Sequence, residues 1–201
     1  MDLKGKRIGF GFTGSHCTYD DVFPQLQRLV DLGADVVPIV SYTVRNTDTK
    51  FGKAEDHIEK IEFITGKRVI STMPEAEPLG PKHPLDIMVL APLTGNSTSK
   101  LANALTDSPP LMAAKATMRN RRPVVIGIST NDALGLNGVN IMRLMASKFI
   151  YFIPFGQDNP FDKPNSLVAH MGQLAETVEA ALEFNQLQPI IIPYVENNVL
   201  K

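Results

Sequence analysis

The side chains in this chain best suited to chemistry are small hydroxyls and amides that gather just after apolar runs. Thr13, Gly14 and Ser15 follow the run at 6–12. Ser41 and Thr43 follow the run at 34–40, and Thr94, Asn96, Ser97 and Thr98 follow the run at 85–91. Neutral hydroxyls beside the free N–H groups of a helix start suit an anion, commonly a phosphate. Taken singly, each hydroxyl is accounted for by a helix cap or a turn. Three neighbouring strand ends that each supply Ser or Thr favour a cradle for a mononucleotide phosphate. Two other phosphate sites are disfavoured. The words around Gly11 and Gly14 do not form G-x-G-x-x-G, and the second strand ends in Ser41, where a dinucleotide site places a carboxylate for the ribose. A Walker lysine motif is absent, and no metal site is expected.

The elements that must position these residues follow from periodicity. The stretch 85–107, LDIMVLAPLTGNSTSKLANALTD, is the most informative. Leu85 and 87–91 read as a fully buried parallel strand. The strand empties into a polar turn, and a helix takes over from about Ser97. Such turns are where open α/β sheets bind ligands. Further strands are expected at 6–12, 34–40, 68–70, 123–129 and 149–154. Helices are expected from a Thr18–Asp21 capping box to Gly33, with a kink or restart at Pro24, and at 54–64, Pro109–Arg119, 137–147 and 167–184. The proline-rich segments 75–84 and 156–166 read as loops, and 189–192 as a short apolar strand in a tail beginning near 186. Alternating strands and helices imply a parallel sheet covered on both faces. The expected fold class is α/β: a Rossmann-like three-layer sandwich with a mostly parallel sheet, in a single domain.

Composition narrows the class of partner. The 201 residues are 43% hydrophobic with a formal net charge of −1, so no basic excess exists to neutralise nucleic acid or a membrane surface. No segment approaches a transmembrane length, and the first strand, about six or seven residues, is too short for a signal h-region. The single cysteine, Cys17, cannot form an internal disulfide, which agrees with a reducing, cytoplasmic compartment.

Other candidates carry competing accounts. His16 could donate to a phosphate or act at the cradle, or be a plain turn histidine. Cys17 lacks a base partner in sequence and reads as a packed thiol. His57, among Glu55, Asp56, Glu59 and Lys60, reads as a surface residue, and His83 as a solvated loop residue. Arg119, Arg121 and Arg122 would suit a dicarboxylate, yet a helix C-terminus favours Arg in any case. The segment 131–145 sets two glycines and three asparagines beyond a strand end, where loops form pockets. Its Met142, Leu144 and Met145 would line a ligand, pack between subunits or fill the core.

The words GFTGSHCTY, SYT, APLTGNSTSKLANALTDSP and STNDALGLNGVNIMRLM resemble, over nearly the whole chain, the flavoprotein superfamily that includes the FMN-binding cysteine decarboxylases. The most specific piece is A-P-x-x-x-N-[ST]-x-x-K at Ala91–Lys100. The resemblance implies FMN as cofactor and a homo-oligomer, a trimer or a multiple of trimers. Cofactor contacts would come from Thr13, Gly14, Ser15, Ser41, Thr43, Ala91, Thr94, Asn96, Ser97, Thr98 and Ser129. Catalytic contributions would come from Asn96, Asn131 and His16. Within the family, the closer likeness implies oxidation of a dihydro dicarboxylate precursor to its aromatic pyridine dicarboxylate in a spore-forming bacterium. A separate dehydrogenase-like subunit, carrying NAD(P), would share that work. Three departures count against cysteine decarboxylation more than against FMN. Pro78 stands where the decarboxylases place a histidine, Asp107-Ser108 replaces Asp-Asn, and Ser129-Thr130-Asn131 replaces Pro-Met-Asn. The alternatives are a decarboxylase using His83 or His16, and a non-catalytic assembly subunit that retains the cradle.

Overall fold

The computed structural model describes residues 3–194. Five parallel strands form its centre: β1 (Arg7–Phe12), β2 (Asp35–Val40), β3 (Ile87–Leu93), β4 (Val124–Thr130) and β5 (Ile150–Phe152). Their spatial order is β2-β1-β3-β4-β5. All seven residues of β3 are buried, as its unbroken apolar run requires. Two short strands, β6 (Phe155–Gly156) and β7 (Leu167–Ala169), add antiparallel pairing beyond the end of β4, where Ser129 faces Val168 and Thr130 faces Leu167.

Period-two alternation decides which helix covers which face. The Phe12 ring meets Tyr19 and Phe23 of α1 (Tyr19–Asp31). Gly11, one residue earlier and so on the opposite face, lies against Pro110 of α6 (Pro109–Arg119). The last helix, α8 (Leu174–Leu182), packs beside α1. The remaining helices are α2 (Tyr42–Asn46), α3 (Ala54–Thr65), α4 (Met73–Ala76), α5 (Gly95–Ala102) and α7 (Gly138–Met145). The connection after β1 goes outward to β2, and the chain then crosses back so that β3 lies on the other side of β1. This reversal between β1 and β3 is a topological switch point, and a crevice opens there at the carboxyl ends of the strands. Pro92 has no amide hydrogen to give the ladder. The β3–β4 register slips there, with Leu90 facing Ile126 and Leu93 facing Ile128.

Several local expectations are corrected. Residues 167–169, expected to open the last helix, instead form β7, because pairing with β4 and β6 outweighs a helical apolar pattern. Residues 68–70 supply only a bridge from Ile70 to Ile39. Thr18 caps nothing with its side chain, and its hydroxyl donates to the Ser15 carbonyl at 2.9 Å. A capping arrangement occurs instead at Thr72, whose amide and hydroxyl both donate to Glu75, so part of the expected loop at 75–84 is helical. Helix α1 runs through Pro24, and α2 was not expected. The tail at 189–192 does pair: Phe155 donates to the Ile190 carbonyl and accepts from the Ile192 amide. Among the described residues no helix is long and apolar enough to cross a membrane.

Candidate functional site

Four strand ends are tied together here, three of them by side-chain hydroxyls and β2 by a backbone amide. Thr13 is almost fully buried. Its Oγ1 donates to the Pro92 carbonyl at 2.7 Å and accepts from the Thr94 amide at 2.9 Å, so one side chain straps β1 to β3 at the switch point. The buried Tyr19 hydroxyl donates to the Thr13 carbonyl at 3.0 Å, and burial pushes its pKa upward. Ser15 donates to the Ser129 carbonyl at 2.8 Å, which joins the first turn to β4. The Ser41 amide donates to the Phe12 carbonyl, and the Ser41 hydroxyl caps α2 by accepting from Val44.

Two cavities flank this crossing, and Thr94 borders both. The first, about 370 Å³, is lined by Thr13, Gly14, Ser41, Tyr42, Thr43, Thr94, Asn96, Ser97, Lys100, Asp107 and Ser108. The second, about 310 Å³, is lined by Ser15, Cys17, Thr94, Gly95, Ser129, Thr130, Asn131 and Asp132. Both fall within the usual range for small-molecule sites, about 300–1,000 Å³. Helix α5 begins between them. Thr94 caps it by accepting from the Ser97 amide at 3.2 Å, while the amides of Gly95 and Asn96 lie in the first turn and have no acceptor within the helix. The first cavity therefore offers hydroxyls, first-turn amides and one cation, the donors an oxyanion needs. Gly95 permits the close seating of α5. A Cβ there would stand 2.5 Å from Thr130 Oγ1 and 2.8 Å from Asn137 Nδ2.

The loop after β4 is held by side-chain amides. Asn137 donates to Asp132 at 3.0 Å, Asn140 to Asn137 at 3.0 Å, and Asn103 to Asn140 at 3.3 Å. Arg143 donates to Asn103 at 2.6 Å and ends the chain of amides. A broader groove of about 850 Å³ lies between α1, β6–β7 and residues 192–194, but Asp20, Asp21 and Asp158 on its walls would repel an anion.

The remaining residues singled out in the sequence divide clearly. Gly14, Ser41, Thr43, Thr94, Asn96 and Ser97 meet at the first cavity, and Ser15, Ser129 and Asn131 at the second. Of the expected cofactor contacts, two line neither cavity. Thr98 is fully buried with its hydroxyl on the Thr94 carbonyl, and Ala91 is buried against Gly127. His16 also faces away. Its Nδ1 lies 3.0 Å from the Gly14 carbonyl, and its ring packs 4.9 Å from Tyr19 and 5.5 Å from His57. His57, expected at the surface, is instead buried, because α3 turns that face onto Tyr19 and Phe23. Burial depresses the pKa of both histidines, and each leaves a buried Nε2 without a partner among the described residues. Cys17, expected to be packed, is exposed at the second cavity. His83 and the arginines at 119, 121 and 122 are exposed, as expected. Leu144 is buried and Met145 half-buried, whereas Met142 is exposed. Sequence reasoning did not name Tyr42, Gly95, Lys100, Asp107, Ser108, Thr130 or Asp132 as site residues. Lys100 carried a signal in its spacing, since it lies one helical turn from Asn96 and Ser97.

A polar crevice at the β1/β3 switch point of a 2-1-3-4-5 sheet defines a class of cofactor-binding α/β protein. The family model described as Flavoprotein matches residues 1–183, and the chain belongs to that family. The B subunit of dipicolinate synthase from Bacillus subtilis (strain 168) is 64% identical over 196 residues, 98% of each chain. The crystal structure of the corresponding dipicolinate synthase chain from Bacillus halodurans C is 65% identical with a TM-score of 0.90, covering 97% of this chain and all of that one. The FMN-dependent cysteine decarboxylase SpaF shares the fold, with a TM-score of 0.64 at 18% identity over 89% of this chain and 98% of its own.

Proposed function

We propose that this chain is the FMN-holding subunit of a dipicolinate-forming oxidoreductase. The observation that carries the reading is the convergence of three hydroxyl-bearing strand ends and the start of α5 on one cavity at the switch point, with a second cavity adjoining it. The 64% identity to the B subunit of dipicolinate synthase supplies the substrate class. Ser41, Thr43, Asn96 and Ser97, with the Gly14 backbone, would hold the phosphate. Ser15, Ser129 and Asn131 would face the flavin ring. When bound, FMN supplies a two-electron acceptor, and the dihydro ring loses two electrons and two protons to become the pyridine dicarboxylate.

The protein's share is position and polarity. Asn96 and Asn131 are amides that can donate to a substrate carboxylate or to the cofactor without titrating. Thr13 and Thr98 fix the backbone that carries them, and Ala91 fills the core beneath. His16 acts through the loop: its contact with the Gly14 carbonyl orients the turn that meets the cradle. Among the described residues no histidine lines either cavity, and the titratable side chains there are Lys100 and Asp107 in the first and Cys17 and Asp132 in the second. In this reading the chain works in the cytoplasm of a sporulating mother cell, as a single-domain protomer of a homo-oligomer. Its partner is a dehydrogenase-like A subunit, which would carry NAD(P).

The test is the visible spectrum of the purified protein before and after incubation with FMN and desalting. Flavin bands retained by the unsubstituted chain and lost in Ser41→Ala and Asn96→Ala support the reading. The assay of the assembled complex with the dihydro precursor then assigns the redox step. A colourless protein, alone and with its partner, overturns the FMN reading and leaves an assembly role. Full complex activity from a Ser41→Ala/Asn96→Ala double variant leads to the same conclusion.

A further inference from the structure

Among the described residues that line the two cavities, Lys100 is the single cationic side chain. It lies four residues after Asn96 and three after Ser97, so the three share one face of α5. Its ammonium is 2.7 Å from Asp107 Oδ2, and Asp107 comes from the loop that follows the helix. The pair is open to solvent on the carboxylate side, with side-chain exposures of 29% for Lys100 and 56% for Asp107. An ion pair so placed gains little, about 0–1 kcal/mol, because water solvates either partner well when they part. The other donors at the cavity are neutral, and they recognise shape and hydrogen bonding more than charge.

We propose that Lys100, held in reserve by Asp107, is the specificity residue through which this site selects a phosphorylated flavin over the free one. This rests on the FMN reading given above. With no anion bound, Asp107 cancels the charge of Lys100, and an unphosphorylated ligand gains nothing from it. A phosphate brings up to two negative charges and several acceptor oxygens against the single charge of a carboxylate. It therefore draws the ammonium away from Asp107, which turns to water. Two effects of opposite sign follow: Lys100 favours the phosphate, and Asp107 opposes it both by holding the lysine and by its own charge.

The test is titration of the full chain with FMN and with riboflavin, following quenching of flavin fluorescence at two ionic strengths. Lys100→Met should weaken FMN binding about tenfold and leave riboflavin unchanged, the size expected for one charge-assisted hydrogen bond. Asp107→Asn should tighten FMN binding severalfold with riboflavin again unchanged. Salt should weaken FMN binding less in Lys100→Met than in the unsubstituted chain. Lys100→Arg keeps the charge and should recover most of the loss. Equal losses for both flavins would make Lys100 a structural helix residue and overturn the proposal. FMN binding unaltered by Lys100→Met would also overturn it. If the unsubstituted chain binds riboflavin and FMN equally, phosphate selection is absent and this inference alone fails. If it binds neither, the flavin reading itself fails.

Discussion

The strap made by Thr13 can be tested with one nearly isosteric change. Thr13→Val keeps the volume and removes the hydroxyl that donates to the Pro92 carbonyl at 2.7 Å and accepts from the Thr94 amide at 2.9 Å. Two neutral hydrogen bonds contribute about 1 kcal/mol each, and stranding the Thr94 amide in a partly buried turn adds about 1 kcal/mol or more. The expected loss is about 3 kcal/mol. In a chain of this size that lowers the unfolding midpoint by about 6–12 °C. Thr13→Ser makes the opposite trade, keeping both hydrogen bonds and giving up one methyl group at about 1 kcal/mol, or about 2–4 °C. Thermal unfolding followed by circular dichroism, with urea midpoints as a second measure, ranks the two. Flavin uptake should follow the same order, because Thr94 caps α5 and borders both cavities. If Thr13→Val melts at or above Thr13→Ser, the hydroxyl is not what joins β1 to β3, and the crevice is not pre-built by this strap.

Three further outcomes are expected. Gly95→Ala drives a methyl group into Thr130 and Asn137, so it should cost about 1–3 kcal/mol by overpacking and weaken flavin binding; adding Thr130→Ala should recover part of both, and an unperturbed Gly95→Ala would contradict the close seating of α5. The His16–His57 pair should make the protein acid-sensitive. Both pKa values are held below the ordinary imidazole value of about 6.5, so the unfolded chain binds more protons and stability falls as pH drops below that value. At His57 burial is the largest cause; His16 and Lys60 also oppose protonation, while Asp56 and Asp20 favour it. Melting points measured from pH 7.5 to pH 5 should decline less steeply in His57→Leu, and parallel curves would remove these histidines from the account. Cys17 is exposed, so a thiol reagent should titrate one group per chain without denaturant, and saturating FMN should slow the reaction. Modification only after unfolding would show that the thiol is covered.

Much of this molecule is local in origin. Leu85 and the run at 87–91, the alternation of apolar runs with amphipathic stretches, and the Ser and Thr residues at three strand ends follow from side-chain chemistry alone. They are enough to anticipate the parallel sheet, to place a polar turn at the end of β3, and to name most residues that meet at the first cavity. The same local reading fails wherever a contact distant in sequence decides the outcome. Residues 167–169 have a helical pattern, yet two backbone pairings with the end of β4 make them a strand. His57 sits among charges in sequence, and only the docking of α3 against α1 buries it beside His16. Thr13 and Thr98 have the right chemistry for a ligand, but the fold supplies backbone partners that take up their hydroxyls. Lys100 and Asp107 are seven residues apart and meet only because the chain doubles back after α5. Periodicity reports which face of an element is apolar. Which groups meet across faces, and which polar atoms remain free for a ligand, depends on packing and strand order, which bring together residues up to 148 positions apart.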